Sequence, residues 1–477
     1  MVFEGTSSVA FFASALPIST FSIVIYRLYF HPLSHIPGPP LACITSLWLY
    51  TKTYLGTEAS SIDQLHQKYG PVVRIAPNEV DFSDGAALAP IYTEKGGFLK
   101  AECYRNFDIE GHPSIFSALD PVHRKSRAKA VVGMFASSSI RERIGVIEEC
   151  VVRMVDRMQA EASTGKPVNV LNLTRSLAVD AVSAYLFGKS YDGIAEESGS
   201  QLSASEFVNT FVAVGRFFYL PNWAFVLLET WSAKLNKDKT EVDKSMAAVN
   251  SFAEKLVEEA GYEDPTYQGR MLKAGITKHE TVAQCLDVMF AGTDSTGMNL
   301  ATACWHLAQN PKQCERLRQE VLSADPTTDP QTLPYLSAVL RETLRLSLAN
   351  PTRFPRAVPA GGRTFTGIYI PPSTVVGLSP YTLHLNPAVF PSPEKFLPER
   401  WEDPTPEMNR DHIPFGLGPR QCIARNLAMA ELAYGVREIA RRDALRGAKT
   451  RGKVVLREWF NSKVEGEKIE LVWSQGV

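Results

Sequence analysis

The chain has 477 residues, 45% of them hydrophobic and 21% charged, which supplies a large buried core and too few charges for a disordered or solvating chain. Lys and Arg number 50 against 51 Asp and Glu, a net charge of -1, so no overall basic footprint for nucleic acid is present. The seven cysteines (Cys43, Cys103, Cys150, Cys285, Cys304, Cys314 and Cys422) are odd in number, scattered and free of any C-x-x-C pair, which argues against a disulfide framework or structural zinc and for a reducing compartment.

From Gly5 through Tyr26 there is no charged residue. As a helix this run would reach roughly 33 Å, enough to cross a bilayer with some tilt. Pro17 and the Ser and Thr residues within it weaken the hydropathy without forbidding a span. A cleaved signal peptide is the competing reading. Glu4 and the lack of any basic residue before the run disfavour it, and the apolar run continues through the Ala13-Ser14-Ala15 triplet. Residues 1–30 are therefore expected to be an uncleaved membrane anchor, with Arg27 placing the rest of the chain on the cytoplasmic side. Residues 31–40, with Pro32, Pro37, Pro39 and Pro40, cannot continue a helix and read as a stiff hinge or an ordinary linker.

Residues 41–477 contain no long linker, repeat or charge block and read as one large unit. Val72–Ala76 and Glu79–Phe82 pattern as a hairpin around Pro77-Asn78, and helical periodicity dominates from about Pro121 to Asn350. A second strand cluster spans Thr364–Ile370 and Thr374–Val376 across a Pro371-Pro372 turn. The fold class is mainly α with a minor β portion.

Three constellations carry chemistry; no H-E-x-x-H, G-x-S-x-G or P-loop accompanies them. A long helix opens on a Thr277/Glu280 capping box and ends at Asn310-Pro311. Its apolar run turns polar at Gly292-Thr293-Asp294-Ser295-Thr296-Gly297. Such a step costs helix stability, and is expected to loosen the backbone ladder and admit water or a ligand; Asp294 beside two hydroxyls suits proton relay. The second constellation is Glu342 and Arg345 on one helix, with Arg400 on a Pro-rich loop, where one carboxylate can bridge two guanidinium groups. The third is Phe415-Gly416-Leu417-Gly418-Pro419-Arg420-Gln421-Cys422 with a helix-forming run directly after it. A cysteine at a helix start is favoured as thiolate, and a lone thiolate suits haem iron, which needs one axial protein ligand.

Taken together, these residues resemble the cytochrome P-450 superfamily of haem-thiolate monooxygenases, of the membrane-anchored microsomal type of filamentous fungi, over essentially the whole chain. The resemblance implies that fold, preceded by an N-terminal transmembrane helix. It implies haem held by Cys422 as proximal ligand, with Phe415 beside it and His123, Arg127, Arg356 and Arg420 at the propionates. Glu342, Arg345 and Arg400 would form a structural triad, and Asp294 and Ser295 the oxygen-activating pair. Ser295 stands where threonine is usual, which leaves its hydroxyl less constrained and electron coupling in question. Ala424 replaces a common glycine after the cysteine.

The implied reaction inserts one oxygen atom of O2 into a hydrophobic small molecule, of terpenoid or polyketide type, by hydroxylation, epoxidation or multistep oxidation. No NADPH- or flavin-binding segment is visible in the sequence, so an NADPH-dependent flavoprotein reductase in the endoplasmic reticulum membrane is the expected electron donor. Arg124, Lys125, Lys129, Arg437, Arg441 and Arg442 are candidates for its docking face, against a plain solvated helix surface. The segments 98–116, 217–223, 349–354 and 460–462 are expected to line the substrate pocket. Two rival functions are a haem-thiolate isomerase or dehydratase working without a reductase, and a haem-binding protein without catalysis.

Overall fold

The computed structural model describes residues 19–196, 202–235, 241–365 and 367–473. The expected span thus lies mostly outside the described residues, among which no helix is long and apolar enough to cross a membrane. Residues 19–25 are helical and run into a π-helical turn, Tyr26–Phe30, with Phe21 and Phe30 largely exposed. The proline-rich segment that follows is not a free hinge. Leu33 and Ile36 are buried in an apolar cluster with Val80, Val376 and Ile413. Arg27 donates to the Ile44 carbonyl, and Arg74 donates through its side chain to the Arg27 carbonyl and through its backbone to that of Pro37. The stiffness was legible; its packing partners lie elsewhere in the chain.

Helix α1 (Glu58–Tyr69) leads into strands β1 (Val72–Ala76) and β2 (Glu79–Phe82), the expected antiparallel hairpin, with Val72 opposite Phe82. They form one side of a five-stranded sheet with β3 (Leu99–Lys100), β5 (Arg356–Ala357) and β8 (Val375–Gly377), in the order β1-β2-β8-β5-β3. The β2–β8 pairing is parallel, which no tight turn can make; the chain returns to it through most of the helical body. Between these strands lie β4 (Val168–Asn169) and a hairpin of β6 (Arg363–Phe365) and β7 (Ile368–Ile370). Beyond them come β9 (Ala448–Arg451), a β10–β11 pair (Leu456–Arg457 and Lys463–Val464) and β12 (Glu470–Trp473), which lies between β4 and β9.

The helical body comprises α2 (Pro121–Val131), α3 (Ile144–Ser163), α4 (Val170–Phe187), α5 (Ser205–Val214), α6 (Asn222–Leu235), α7 (Glu241–Glu259), α8 (Lys278–Gln309), α9 (Pro311–Ser323), α10 (Pro334–Ser347) and α11 (Arg425–Arg441). All of α4 except Asn172 and Ala184 is buried, the pattern of a helix enclosed on every side. Its main neighbour is α8, whose N-terminus is capped by the Thr277 hydroxyl accepting from the Glu280 amide, half of the expected capping box, the Glu280 carboxylate turning to Arg127 instead.

The polar step inside α8 does not break it. Thr293 and Ser295 return their hydroxyls to the Met289 and Ala291 carbonyls, at 2.7 and 2.8 Å, and the helix is continuous. The small residues instead let two backbones meet: a Cβ at Gly297 would stand 2.6 Å from Arg175 Cγ and 2.9 Å from Arg175 Cα. Thr174 Oγ1 donates to the Gly297 carbonyl at 2.7 Å across this contact.

The Glu342 carboxylate ties α10 to the loop before Trp401. Arg345 Nε and Nη2 donate to it at 2.9 and 2.8 Å, Arg400 Nε at 3.0 Å, Trp401 Nε1 at 2.9 Å and the Leu397 amide at 3.0 Å. Glu342 and Arg345 are wholly buried. Arg345 spends its remaining donors on the carbonyls of His384, Pro393 and Lys395. Glu342→Ala would leave two guanidinium groups facing each other without their anion, a loss of about 3–5 kcal/mol for a broken buried pair. The variant should yield little folded protein and unfold at markedly lower urea concentration; a yield and urea midpoint equal to the parent would disprove this role.

Candidate active site

A cavity opens between α8, the start of α11, the loop before Cys422 and the segment after Phe460. The loop owes its shape to Gly418, at φ +67°, where a Cβ would fall 1.9 Å from the Tyr92 carbonyl oxygen. The Phe415 carbonyl accepts the Cys422 amide at 2.9 Å, and both residues line the cavity. Helix α11 begins at Arg425 rather than directly after Cys422. Cys422 is accessible, and the space it faces is the cavity within an otherwise dense surround. Burial pushes its thiol up, countered by the Ala424 amide and Arg425; a metal cation bound to the sulfur would favour the thiolate. Ala291, Ser295 and Thr296 of α8 also line the cavity.

Four cations line the same cavity: Lys100, Arg124, Arg356 and Arg420. Lys100 and Arg356 stand directly opposite each other in the antiparallel β3–β5 pair, an arrangement that repels in the absence of an anion. Burial, with Arg124 and Arg356 nearby, pulls Arg420 down to about 10. Burial and the same three arginines hold Lys100 well below the usual lysine range. Arg124 Nε is buried with no hydrogen-bond partner. This crowding of positive charge fits a ligand that brings two carboxylates, and Cys422 offers the sulfur for its metal; haem satisfies both.

Of the expected propionate partners, Arg356 and Arg420 line the cavity, whereas His123 and Arg127 do not. Arg127 forms a double hydrogen bond with Glu280, at 2.7 and 2.9 Å, and His123 Nε2 lies 3.8 Å from the same carboxylate and 3.2 Å from the Pro113 carbonyl. Their helix turns Arg124 to the cavity instead. Lys100 and Arg124 were not singled out as cofactor residues by sequence; what marks Lys100 is its register opposite Arg356, which only the fold shows.

Asp294 and Ser295 point differently. Ser295 lines the cavity and Asp294 does not. Asp294 Oδ1 accepts from Arg175 Nη2 at 2.6 Å and Oδ2 from Asn461 Nδ2 at 3.4 Å. Arg175 is shared with Glu467 at 3.1 Å. Burial pushes the Asp294 carboxyl up, opposed first by the Arg175 charge.

The expected lining segments hold in part. Tyr104, Ile115, Phe116, Ala349, Phe354 and Phe460 face the cavity, while residues 217–223 do not. Phe218 forms a second layer behind Tyr104 and Phe460, with ring centroids 5.2 and 5.0 Å away, and Trp223 is 72% exposed. On the proposed docking face, Arg437 pairs with Glu148, and Arg441 and Arg442 pair with Glu438. Lys125 and Lys129 are exposed.

Comparison with known proteins agrees with this geometry. The chain is 38% identical to cytochrome P450 monooxygenase mfmF of Annulohypoxylon moriforme, over 97% of this chain and 100% of that protein. It is 32% identical to cytochrome P450 monooxygenase tazI of Aspergillus terreus, over 88% of each. It is 27% identical to fusicoccadiene C-8 hydroxylase of Alternaria brassicicola, over 86% of this chain and 84% of that protein. The family description "Cytochrome P450" matches residues 36–442, a stretch that contains the sulfur, all four cavity cations and the Glu342 hub; the chain belongs to the cytochrome P450 family and is a haem-thiolate monooxygenase.

Proposed function

We propose that this monooxygenase oxidises a hydrophobic secondary metabolite of terpenoid or polyketide type at the cytoplasmic face of the endoplasmic reticulum, with electrons from an NADPH-dependent flavoprotein reductase. The observation that carries the substrate class is the cavity wall above Cys422, where Ile115, Phe116, Phe211, Val288, Leu348 and Phe460 are apolar. The similarity to a fusicoccadiene hydroxylase supports the same class. Haem, held by Cys422 and by Lys100, Arg124, Arg356 and Arg420, supplies the activation of dioxygen.

The chain's own residues exclude water and manage protons. Ser295 donates to the Ala291 carbonyl, and rotation about its unbranched Cβ brings the hydroxyl into the cavity. Asp294 Oδ1 is held by Arg175 while Oδ2 meets only the longer Asn461 contact, so Oδ2 is the oxygen free to take up a proton, and Arg175 bridges on to Glu467, 23% exposed at its side chain. Glu467 thereby links the pair to solvent. Membrane attachment is supported by the uncharged run from Gly5, by exposed Phe21 within it and Tyr29 and Phe30 beyond it, and by a second apolar surface on α6 at Trp223, Leu227 and Trp231.

Cys422→Ala should abolish the thiolate-type Soret shift of the reduced, carbon-monoxide-bound protein; an unchanged spectrum would refute the ligand assignment. Asp294→Asn should slow product formation by about 10²–10⁴-fold with haem content retained, while Ser295→Ala should keep NADPH consumption and divert it to hydrogen peroxide. Product and peroxide per NADPH are the measurement. Wild-type rate and coupling in Asp294→Asn would remove the relay from this site, and turnover without reductase would favour an isomerase. Deletion of residues 1–25, which spares the contacts of Arg27, should move the protein from microsomes to the soluble fraction with its spectrum intact. Unchanged microsomal retention would place the anchor elsewhere.

A further inference from the structure

One acidic side chain in the cavity has no part in the chemistry above. Asp287 lies on α8, two helical turns before Ser295 and on the same face, and lines the cavity with Val288 and Ala291. It is 7% exposed, and its Oδ1 is buried with no hydrogen-bond partner. An unsatisfied buried carboxylate oxygen is costly and marks a place where a donor belongs.

The nearby cation does not fill that place. Lys100 Nζ donates to the Phe116 carbonyl at 2.6 Å and sits 3.8 Å from the ring centroids of both Tyr104 and Phe116. Nor does the cofactor, whose carboxylates would repel a third. The wall around Asp287 is fixed: Gln284, one turn earlier, accepts the Ile115 amide at 3.2 Å and donates to the Pro113 carbonyl at 3.0 Å. Burial pushes the Asp287 carboxyl up to about 7, opposed by the nearby Ser114 hydroxyl, whose hydrogen bonds are made with Ser117 Oγ and the Phe116 and Ser117 amides, and by the Lys100 charge. In either protonation state it offers an acceptor.

Building on the monooxygenase reading, we propose that Asp287 is a specificity-determining residue that accepts a hydrogen bond from a hydroxyl group on an otherwise apolar substrate. The neighbouring charges select a hydroxyl over an ammonium group. The Lys100 charge acts on Asp287, and Arg124, Arg356 and Arg420 line the same cavity, so a further cation at Asp287 is opposed by charges already there while a neutral donor is not. The substrate thus reaches this enzyme already bearing a hydroxyl, and the class of reaction that supplies it is a prior hydroxylation, reduction or hydration of the skeleton.

The test uses the full-length haem-loaded enzyme and a graded series of N-alkyl imidazoles ending in a hydroxyl, a methyl ether or a primary amine. The imidazole anchors each probe at the iron and reports binding through the Soret band, while the chain length scans the distance to Asp287. At one or more lengths the alcohol should bind wild type ~10-fold or more tightly than the ether. Asp287→Leu should erase that preference, and Asp287→Asn should retain part of it. The carbon-monoxide spectrum of each variant controls for folding. Equal binding of alcohol and ether at every length, or a preference unchanged in Asp287→Leu, overturns the proposal. So does an amine that outbinds the alcohol in an Asp287-dependent way. Failure of the underlying reading looks different: the wild type itself would show no thiolate-type carbon-monoxide spectrum and no Soret response to any imidazole.

Discussion

Four positive side chains enclosed around one cavity set the terms for this molecule. Lys100 and Arg356 meet across a strand pair, and Arg124 and Arg420 close on them from a helix and a loop. Held together without anions they oppose the fold. In the proposed contacts the cofactor's carboxylates would convert that opposition into attraction, and part of the stability of the protein would then reside in a ligand that binds only the folded state. Cys422 would hold the metal and Lys100, Arg124, Arg356 and Arg420 the carboxylates, so the cofactor would be gripped from four separate stretches of the chain.

The distribution of rigidity around the site has a clear physical basis. On the cysteine side, one carboxylate collects five donors and welds α10 to its loop. On the other side, α8 carries the groups proposed to handle protons, and their freedom is graded. Ser295 is held by a single bond to its own helix, whereas Asp294 is held by α4 and the C-terminal segment together. The hydroxyl is the mobile member and the carboxylate the restrained one, which matches a delivery sequence controlled at the carboxylate.

What could be read in the sequence was what chain-local patterns determine. The Cys422 loop, the α8 cap at Thr277 and the β1–β2 hairpin are each written within a few residues, and the structure shows each of those local features. Glu342, Arg345 and Arg400 were legible as an i,i+3 pair with a second arginine on a Pro-rich loop, a set that gained its meaning from the family resemblance. Features made by distant segments were misread or missed. The glycines of α8 looked like weakness because Arg175, the neighbour that needs the space at Gly297, lies far back in the chain. The aromatic stretch near Phe217 suggested a pocket wall by composition, yet its rings form a second layer or face outward. Asp287 sits in an unremarkable helical stretch, and only the fold shows that its carboxylate faces a cavity.

The missing side chain at Gly297 also decides where the protein can breathe. Backbones in direct contact, tied by Thr174, leave no layer of side chains to shear, so α4 and α8 must move as one body. The contact of α8 with α5 is of the opposite kind. Phe290 lies flat against Phe207 and Phe211, with centroids 3.8 and 4.2 Å apart, and stacked faces slide with little loss of contact. Of the two contacts, that of α5 with α8 is the one built to slide, and that of α4 with α8, which carries Asp294 and Ser295, the one built to hold its shape.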